Sequence, residues 1–293
     1  MSTRIYQDIL VPTDGSQEAD VAVDRALNLA RTSEATVHVV HVVDTSLDLH
    51  RLDDEARTEW RRDAEKRGQA ATVQIEERAS SLGLETARDV VEGVPYREIL
   101  TYVEENGIDL VVMGTRSRTA SRLGSTTERV VALADVPVIA VPLAVDTDVP
   151  ESGYGMYDHV LIPTDGSDAA ERAADHGLRI AERYGADVHL VYVVDESTYG
   201  FEGSPGSIAG LLKQSGGNAI EEIAADARER NLPVTTDVVR GIPHEEILDY
   251  AEGVDADLIA MGTRGRVAET DRLFGSTTAR IVRCSTVPVL TRS

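Results

Sequence analysis

Asp8–Ser16 reads DILVPTDGS, and His159–Ser167 reads HVLIPTDGS. Each is an apolar run closed by Pro-Thr-Asp-Gly-Ser. That pattern predicts a buried strand running into a tight turn, with the serine placed to cap a helix. The surroundings repeat as well. Val91–Leu100 (VEGVPYREIL) returns as Val239–Leu248 (VRGIPHEEIL), and Asp109–Arg116 (DLVVMGTR) as Asp257–Arg264 (DLIAMGTR). Leu123–Val130 (LGSTTERV) returns as Phe274–Ile281 (FGSTTARI), and Val136–Val138 as Val287–Val289. Five words in unbroken order mark a duplicated domain with a period far too long for a solenoid.

A length of 293 residues fits two domains, each long enough to bury a core. The expected domains are residues 1–143 and 155–293. Pro142–Tyr154 (PLAVDTDVPESGY) carries turn residues and no apolar period, and reads as an exposed linker.

Within each half, strand and helix patterns alternate. Ile5–Val11 is a buried-strand run. Ala19, Ala22, Val23, Ala26, Leu27 and Ala30 form one helical stripe, matched by Ala170, Ala173, Ala174, Gly177, Leu178 and Ala181. Thr36–Val43 and Asp187–Val194 are β-branched runs ending in Asp44 and Asp195. Charged helices follow at Asp53–Leu82 and Asn218–Arg230, the second preceded by a Gly/Ser-rich stretch, Gly200–Gly217. Strands at Thr86–Val91 and Val234–Val239 lead to helices opening at Pro95 and Pro243, since proline suits a first helical position. Ile108–Met113 and Leu258–Met261 are fourth strands. Helices near Ser125 and Ser276 and closing strands at Pro137–Val141 and Pro288–Leu290 complete the halves. The fold class is therefore α/β: two tandem open five-stranded parallel sheets flanked by helices, of the Rossmann-like type. Ligands of such sheets bind beyond the carboxyl ends of the strands, at the switch point of strand order.

The charge balance is extreme, with 51 acidic against 29 basic residues and a net charge of −22; only Lys66 and Lys213 are lysines. Such a surface repels nucleic acid and anionic membranes, and is the expected adaptation to a high-salt, halophilic cytoplasm. No charged-then-apolar leader stands at the N-terminus and no apolar run approaches a membrane span, so a cytoplasmic location without membrane insertion is expected. The single cysteine, Cys284, forms no intrachain disulfide and is expected as a small buried hydrophobe.

The chemistry gathers at the expected carboxyl rim. In the second half Gly262-Thr-Arg-Gly265 follows a strand, and nine residues later Gly275-Ser276-Thr277-Thr278 opens a helix. Glycines let backbone approach a ligand, and a helix N-terminus supplies free N–H donors and partial positive charge. This is phosphate-binding chemistry without lysine. No GxxxxGK[ST] exists, and a dinucleotide fingerprint would occupy the position of PTDGS. Ser215-Gly216-Gly217-Asn218 reads as linker. No HExxH or paired metal-ligand spacing is present. His38 and His189, equivalent on their strands, read as satisfied core or edge histidines, and Asp44 and Asp195 as strand-end turn residues.

These residues resemble the universal stress protein family, which shows P-T-D-x-S after its first strand and G-2x-G-9x-G-S/T after its fourth. Gly262, Gly265, Gly275 and Ser276 match at every spacing. The resemblance covers both halves. It implies an adenine-nucleotide-hydrolase-like fold with the halves paired as an internal pseudo-dimer, and a homodimer of tandem chains is open. It also implies an ATP site, with Mg2+ as a possible companion. Pro163, Thr164 and Asp165 would meet the adenosine, Asp165 accepting from ribose hydroxyls. Val193 and Met261 would flank the base. Gly262 and Gly265 would let the backbone approach, and Gly275, Ser276 and Thr277 would hold the phosphates, with Arg264 or Arg266 offsetting charge. In the first half Asp14, Val42, Gly114, Gly124 and Ser125 match, but Ser117 replaces the second glycine. Only six residues separate Ser117 from Gly124, so a weaker site is expected there. If the second glycine needs a left-handed φ, a serine would be strained at it. The implied role is an ATP-binding regulatory protein of stress response with an unknown protein partner and no catalytic residues. The alternatives are a slow ATP-hydrolysing enzyme and a non-nucleotide interaction module.

Overall fold

The computed structural model describes residues 4–16, 19–46, 53–115, 123–142, 156–195, 208–265 and 275–293, without the side chains of 208–215. The chain divides into two compact units, Met1–Val149 and Pro150–Ser293.

In the first unit β1 (Asp8–Thr13), α1 (Asp20–Ser33), β2 (Thr36–Asp44), α2 (Asp54–Ser81), β3 (Thr86–Gly93), α3 (Pro95–Glu105), β4 (Leu110–Gly114), α4 (Ser125–Leu133) and β5 (Val138–Val141) alternate. The strand order is β3-β2-β1-β4-β5. The pairings β1–β2, β1–β4, β2–β3 and β4–β5 are all parallel. The second unit repeats it with β6 (His159–Pro163), α5 (Asp168–Tyr184), β7 (Asp187–Asp195), α6 (Ile208–Glu229), β8 (Val234–Gly241), α7 (Pro243–Gly253), β9 (Leu258–Gly262), α8 (Ser276–Cys284) and β10 (Val289–Arg292). Its order is β8-β7-β6-β9-β10, also parallel. In each unit the order reverses between the first and fourth strands, so the switch-point crevice lies at β1/β4 and β6/β9.

The central strands are buried on both faces: Ile9, Leu10, Leu110, Val111, Leu161, Ile162, Leu258 and Ile259 have essentially no solvent exposure. The small-residue stripe lets α5 lie close on the sheet. A Cβ on Gly177 would stand 2.8 Å from the Ala260 side chain. Pro95 and Pro243 open α3 and α7 as predicted, and the Asp53 carboxylate caps α2 by accepting from Ala56 N at 2.8 Å.

Four expectations need correction. β1 starts at Asp8, three residues after Ile5, and continues through Pro12, whose missing N–H leaves its pairing with Val40 in register. α6 starts at Ile208, so Gly216 and Gly217 are helical and not linker; residues 200–207 of the Gly/Ser-rich stretch lie outside the described residues. The reason is a tertiary contact. A Cβ at Gly216 would stand 2.5 Å from the Tyr192 ring, so glycine lets the helix lie on that ring. Gly68 of α2 does the same over His41, the residue equivalent to Tyr192. Cys284 is exposed: the buried stripe of α8 is Thr278, Ile281 and Val282, and position 284 falls off it. Finally, Ser16 does not cap α1. The helix begins at Asp20 after Ala19, with no side-chain cap. The linker Pro142–Tyr154 lies outside the described residues except for Pro142.

Candidate functional site

In the second unit the turn after β6 is built by short polar side chains serving their own backbone. Pro163 ends the strand, and the buried Thr164 extends the ladder by donating its N–H to Val191 O at 2.9 Å. Thr164 Oγ1 accepts from Gly166 N at 3.0 Å, and Gly166 turns at φ 71, which favours glycine. Asp165 Oδ1 accepts from Ser167 N at 3.1 Å. Ser167 Oγ accepts from Ala170 N at 3.3 Å, capping α5, and donates to Arg264 O at 3.4 Å. The serine hydroxyl thus joins the turn after β6 to the loop after β9.

That loop is pinched at its base. Thr263 N donates to Arg292 O at 2.9 Å, Gly275 N donates to Thr263 O at 2.8 Å, and Thr278 Oγ1 donates to Gly262 O at 2.9 Å. These bonds hold the start of α8 against the end of β9. Gly262 is required sterically: a Cβ there would stand 2.8 Å from backbone atoms of Ala169 and Ala170 in the first turn of α5. Gly265 departs from the sequence expectation. Its φ is not left-handed; its Cβ would stand 2.5 Å from Asp165 Oδ2. The glycine makes room for a carboxylate. Arg264 is exposed, while Arg266 and the rest of the loop to residue 274 lie outside the described residues.

Gly275 precedes α8 in extended conformation and has no side-chain cap. The first-turn N–H groups of α8, at Ser276 and Thr277, have no acceptor within their own helix and point with the positive end of its dipole. Ser276 is exposed and Thr277 half-buried. Val193 is half-buried near the end of β7, and Met261 is buried on β9. Asp165, Gly262, Gly265 and Gly275 are therefore brought to one rim, at the switch point.

The first unit keeps the pinch. Thr115 N donates to Val141 O, Gly124 N donates to Thr115 O, and Thr127 Oγ1 donates to Gly114 O, each at 2.8 Å. Ser125 opens α4 exposed, and Val42 is half-buried on β2. The turn differs. Gly15 takes φ 74, but the Ser16 N–H and hydroxyl both donate to Asp14 Oδ1, and Asp14 is exposed. Beneath this turn the buried His41 donates Nδ1–H to Thr13 O at 2.9 Å, and burial pushes its pKa below the ordinary value, favouring the neutral ring. Ser117 lies outside the described residues. Reading the sequence alone missed the last threonines of the two GSTT words, Thr127 and Thr278. Their repetition in both halves was the available signal, but its meaning rests on a carbonyl thirteen or sixteen residues earlier.

Asp44 serves its own turn, accepting from Ser46 N at 2.8 Å and Ser46 Oγ at 2.6 Å. Among the described residues no group of three or more His, Cys, Asp or Glu side chains is placed to hold a metal, and no helix is long and apolar enough to cross a membrane.

The rim motifs stand in both units, and the family comparison agrees with them. The universal stress protein family matches the chain twice, at residues 5–142 and 156–291. The chain belongs to this family and carries two tandem domains of it. It is similar to universal stress protein MJ0531 of Methanocaldococcus jannaschii, 35% identical over 156 residues, which are 52% of this chain and 92% of that protein. It is similar over nearly its full length to universal stress protein Mb2028c of Mycobacterium bovis, 27% identical over 297 residues, covering 98% of this chain and 97% of that protein. A universal stress protein crystal structure from Archaeoglobus fulgidus shares the fold, with a TM-score of 0.73 and 23% identity over 98% of each chain.

Proposed function

We propose that the chain is an adenine-nucleotide-binding regulatory protein of stress response, and that the second unit holds ATP at the β6/β9 rim. One observation carries the reading: Asp165 lies against Gly265, whose Cβ would stand 2.5 Å from Asp165 Oδ2, on a loop whose base is pinned to the start of α8. A carboxylate at one end accepts from vicinal ribose hydroxyls, and the N–H groups of Ser276 and Thr277 donate to phosphate oxygens. Val193 and Met261 supply apolar surface for a base. Mg2+, when present, would travel with the phosphates, since the described residues offer no cluster of their own for it. The residues take binding roles, and the family resemblance supports a nucleotide-dependent regulatory state over fast turnover.

Native mass spectrometry of the purified chain, followed by calorimetric titration with ATP after nucleotide removal, tests this. The expected result is a co-purifying adenine nucleotide or a micromolar site, about −8 kcal/mol. No bound nucleotide and no heat of binding in the wild-type chain would overturn it.

A further inference from the structure

At the opposite, N-terminal end of the second sheet, a polar cluster differs from its counterpart in the first. In the first unit Asp8, His38 and Asp89 lie on one diagonal across β1, β2 and β3, because Leu10 pairs with His38 and Val40 with Asp89. His38 is fully served there. Its Nε2 stands 3.1 Å from Asp8 Oδ1 and its Nδ1 3.2 Å from the Tyr102 hydroxyl. In the second unit the same diagonal carries His159, His189 and Asp237 across β6, β7 and β8. The carboxylate has become a second imidazole. The tyrosine, now Tyr250, donates its hydroxyl to Asp237 Oδ2 at 2.6 Å.

We propose that His159 and His189 form a two-imidazole site for a borderline divalent transition-metal ion, of the Zn2+, Ni2+ or Cu2+ class. His189 Nε2 and His159 Nδ1 face each other at 3.5 Å, with ring centroids 5.6 Å apart and planes tilted by 48°. That separation is at the outer limit of a hydrogen bond. It is close to the spacing of two imidazole nitrogens sharing one tetrahedral cation, about 3.3 Å for bonds of about 2.05 Å. A second observation concerns the other nitrogen. His189 Nδ1 is buried with no hydrogen-bond partner, while the Tyr250 ring lies edge-on to His189 at 6.3 Å. Tyr250 gives its proton to Asp237 and keeps an acceptor lone pair. The first unit shows a histidine Nδ1 reaching the equivalent hydroxyl. A small ring movement would complete the relay His189 Nδ1–H to Tyr250 to Asp237, the kind of outer support that orients a metal-bound histidine. Imidazole donors select Zn2+, Ni2+ and Cu2+ over Mg2+ or Ca2+. With no third protein ligand among the described residues, water fills the remaining positions.

The untagged, chelator-treated full chain should be titrated with Ni2+ by calorimetry, and the Cu2+-loaded chain examined by electron paramagnetic resonance. We expect one site whose affinity falls at least tenfold in both H159Q and H189Q, with melting curves confirming that the variants fold. H38Q, in the first unit, should leave it unchanged. The Cu2+ signal should show two imidazole nitrogens. No Ni2+ binding to the wild-type chain, wild-type affinity in either folded variant, or coordination by fewer than two imidazoles would overturn the proposal.

Discussion

In the first unit the Ser16 hydroxyl turns onto Asp14; in the second, the equivalent Ser167 hydroxyl caps α5 and reaches the Arg264 carbonyl. Around this difference the units share their frame, down to the threonine that pins each fourth-strand glycine to the next helix. The two hydroxyls sit in the same Thr-Asp-Gly-Ser word. What separates them, among the described residues, is the partner each hydroxyl takes: the Asp14 carboxylate for Ser16, and Ala170 N and Arg264 O for Ser167. In the second unit the turn, α5 and the glycine loop are tied into one body, and Asp165 is half-buried. In the first, the same turn satisfies itself and Asp14 stays exposed. In the second unit the candidate rim is cross-tied by a hydroxyl whose partners the motif alone does not name.

The largest test of this contrast is G262V. A valine there meets backbone of α5, which cannot move as a side chain would. We expect a loss of about 3 kcal/mol in chemical denaturation and loss of ATP binding; unchanged stability would show that β9 and α5 are not closely packed. Next in size is the ranking of the rims. D165A should weaken ATP binding in the full chain by tenfold or more, the worth of about one to two charged hydrogen bonds. D14A should leave that affinity unchanged by titration, and a larger effect from D14A would reverse the ranking.

The serines offer a sharper and smaller comparison. S167A removes a helix cap and should cost about 1 kcal/mol. S16A removes a hydroxyl that caps no helix and should cost only a few tenths. Equal costs in paired melts would erase the distinction.

Acidification tests the units through their buried histidines. Burial lowers His41 in the first unit, and burial pushes His176 on α5 from 6.5 down to about 4. Both shifts favour the neutral ring in the fold, whereas the unfolded chain takes up protons near 6.5. The unfolded state therefore binds more protons as pH falls through this window, and stability falls with it. H176Q should flatten the decline of melting temperature between pH 6.5 and about 4, and an unaltered slope would remove His176 as a contributor.

Much of the fold was legible. Pro95 and Pro243 opened helices because proline suits a first helical position, and the small-residue stripe predicted which face of α5 is buried. The candidate rim was legible in its glycines but not in their reasons. Gly265 looked like a residue needing an unusual φ, and instead leaves space for Asp165. Gly216 looked like linker because its justification is the Tyr192 ring, distant in sequence. Cys284 looked buried because a lone cysteine in a helical pattern reads as a small hydrophobe, yet it falls off the buried stripe of α8.

The sequence by itself determined the duplication, the alternation of strand and helix, and the end of each sheet at which the candidate site residues gather. Those follow from local pattern and from connection rules that hold along the chain. Only the tertiary structure decided which serine caps a helix, which carboxylate lies against a glycine and which histidine faces a second imidazole. A polar side chain in a short turn has several partners within reach, and the one it takes is set by groups that packing brings from elsewhere.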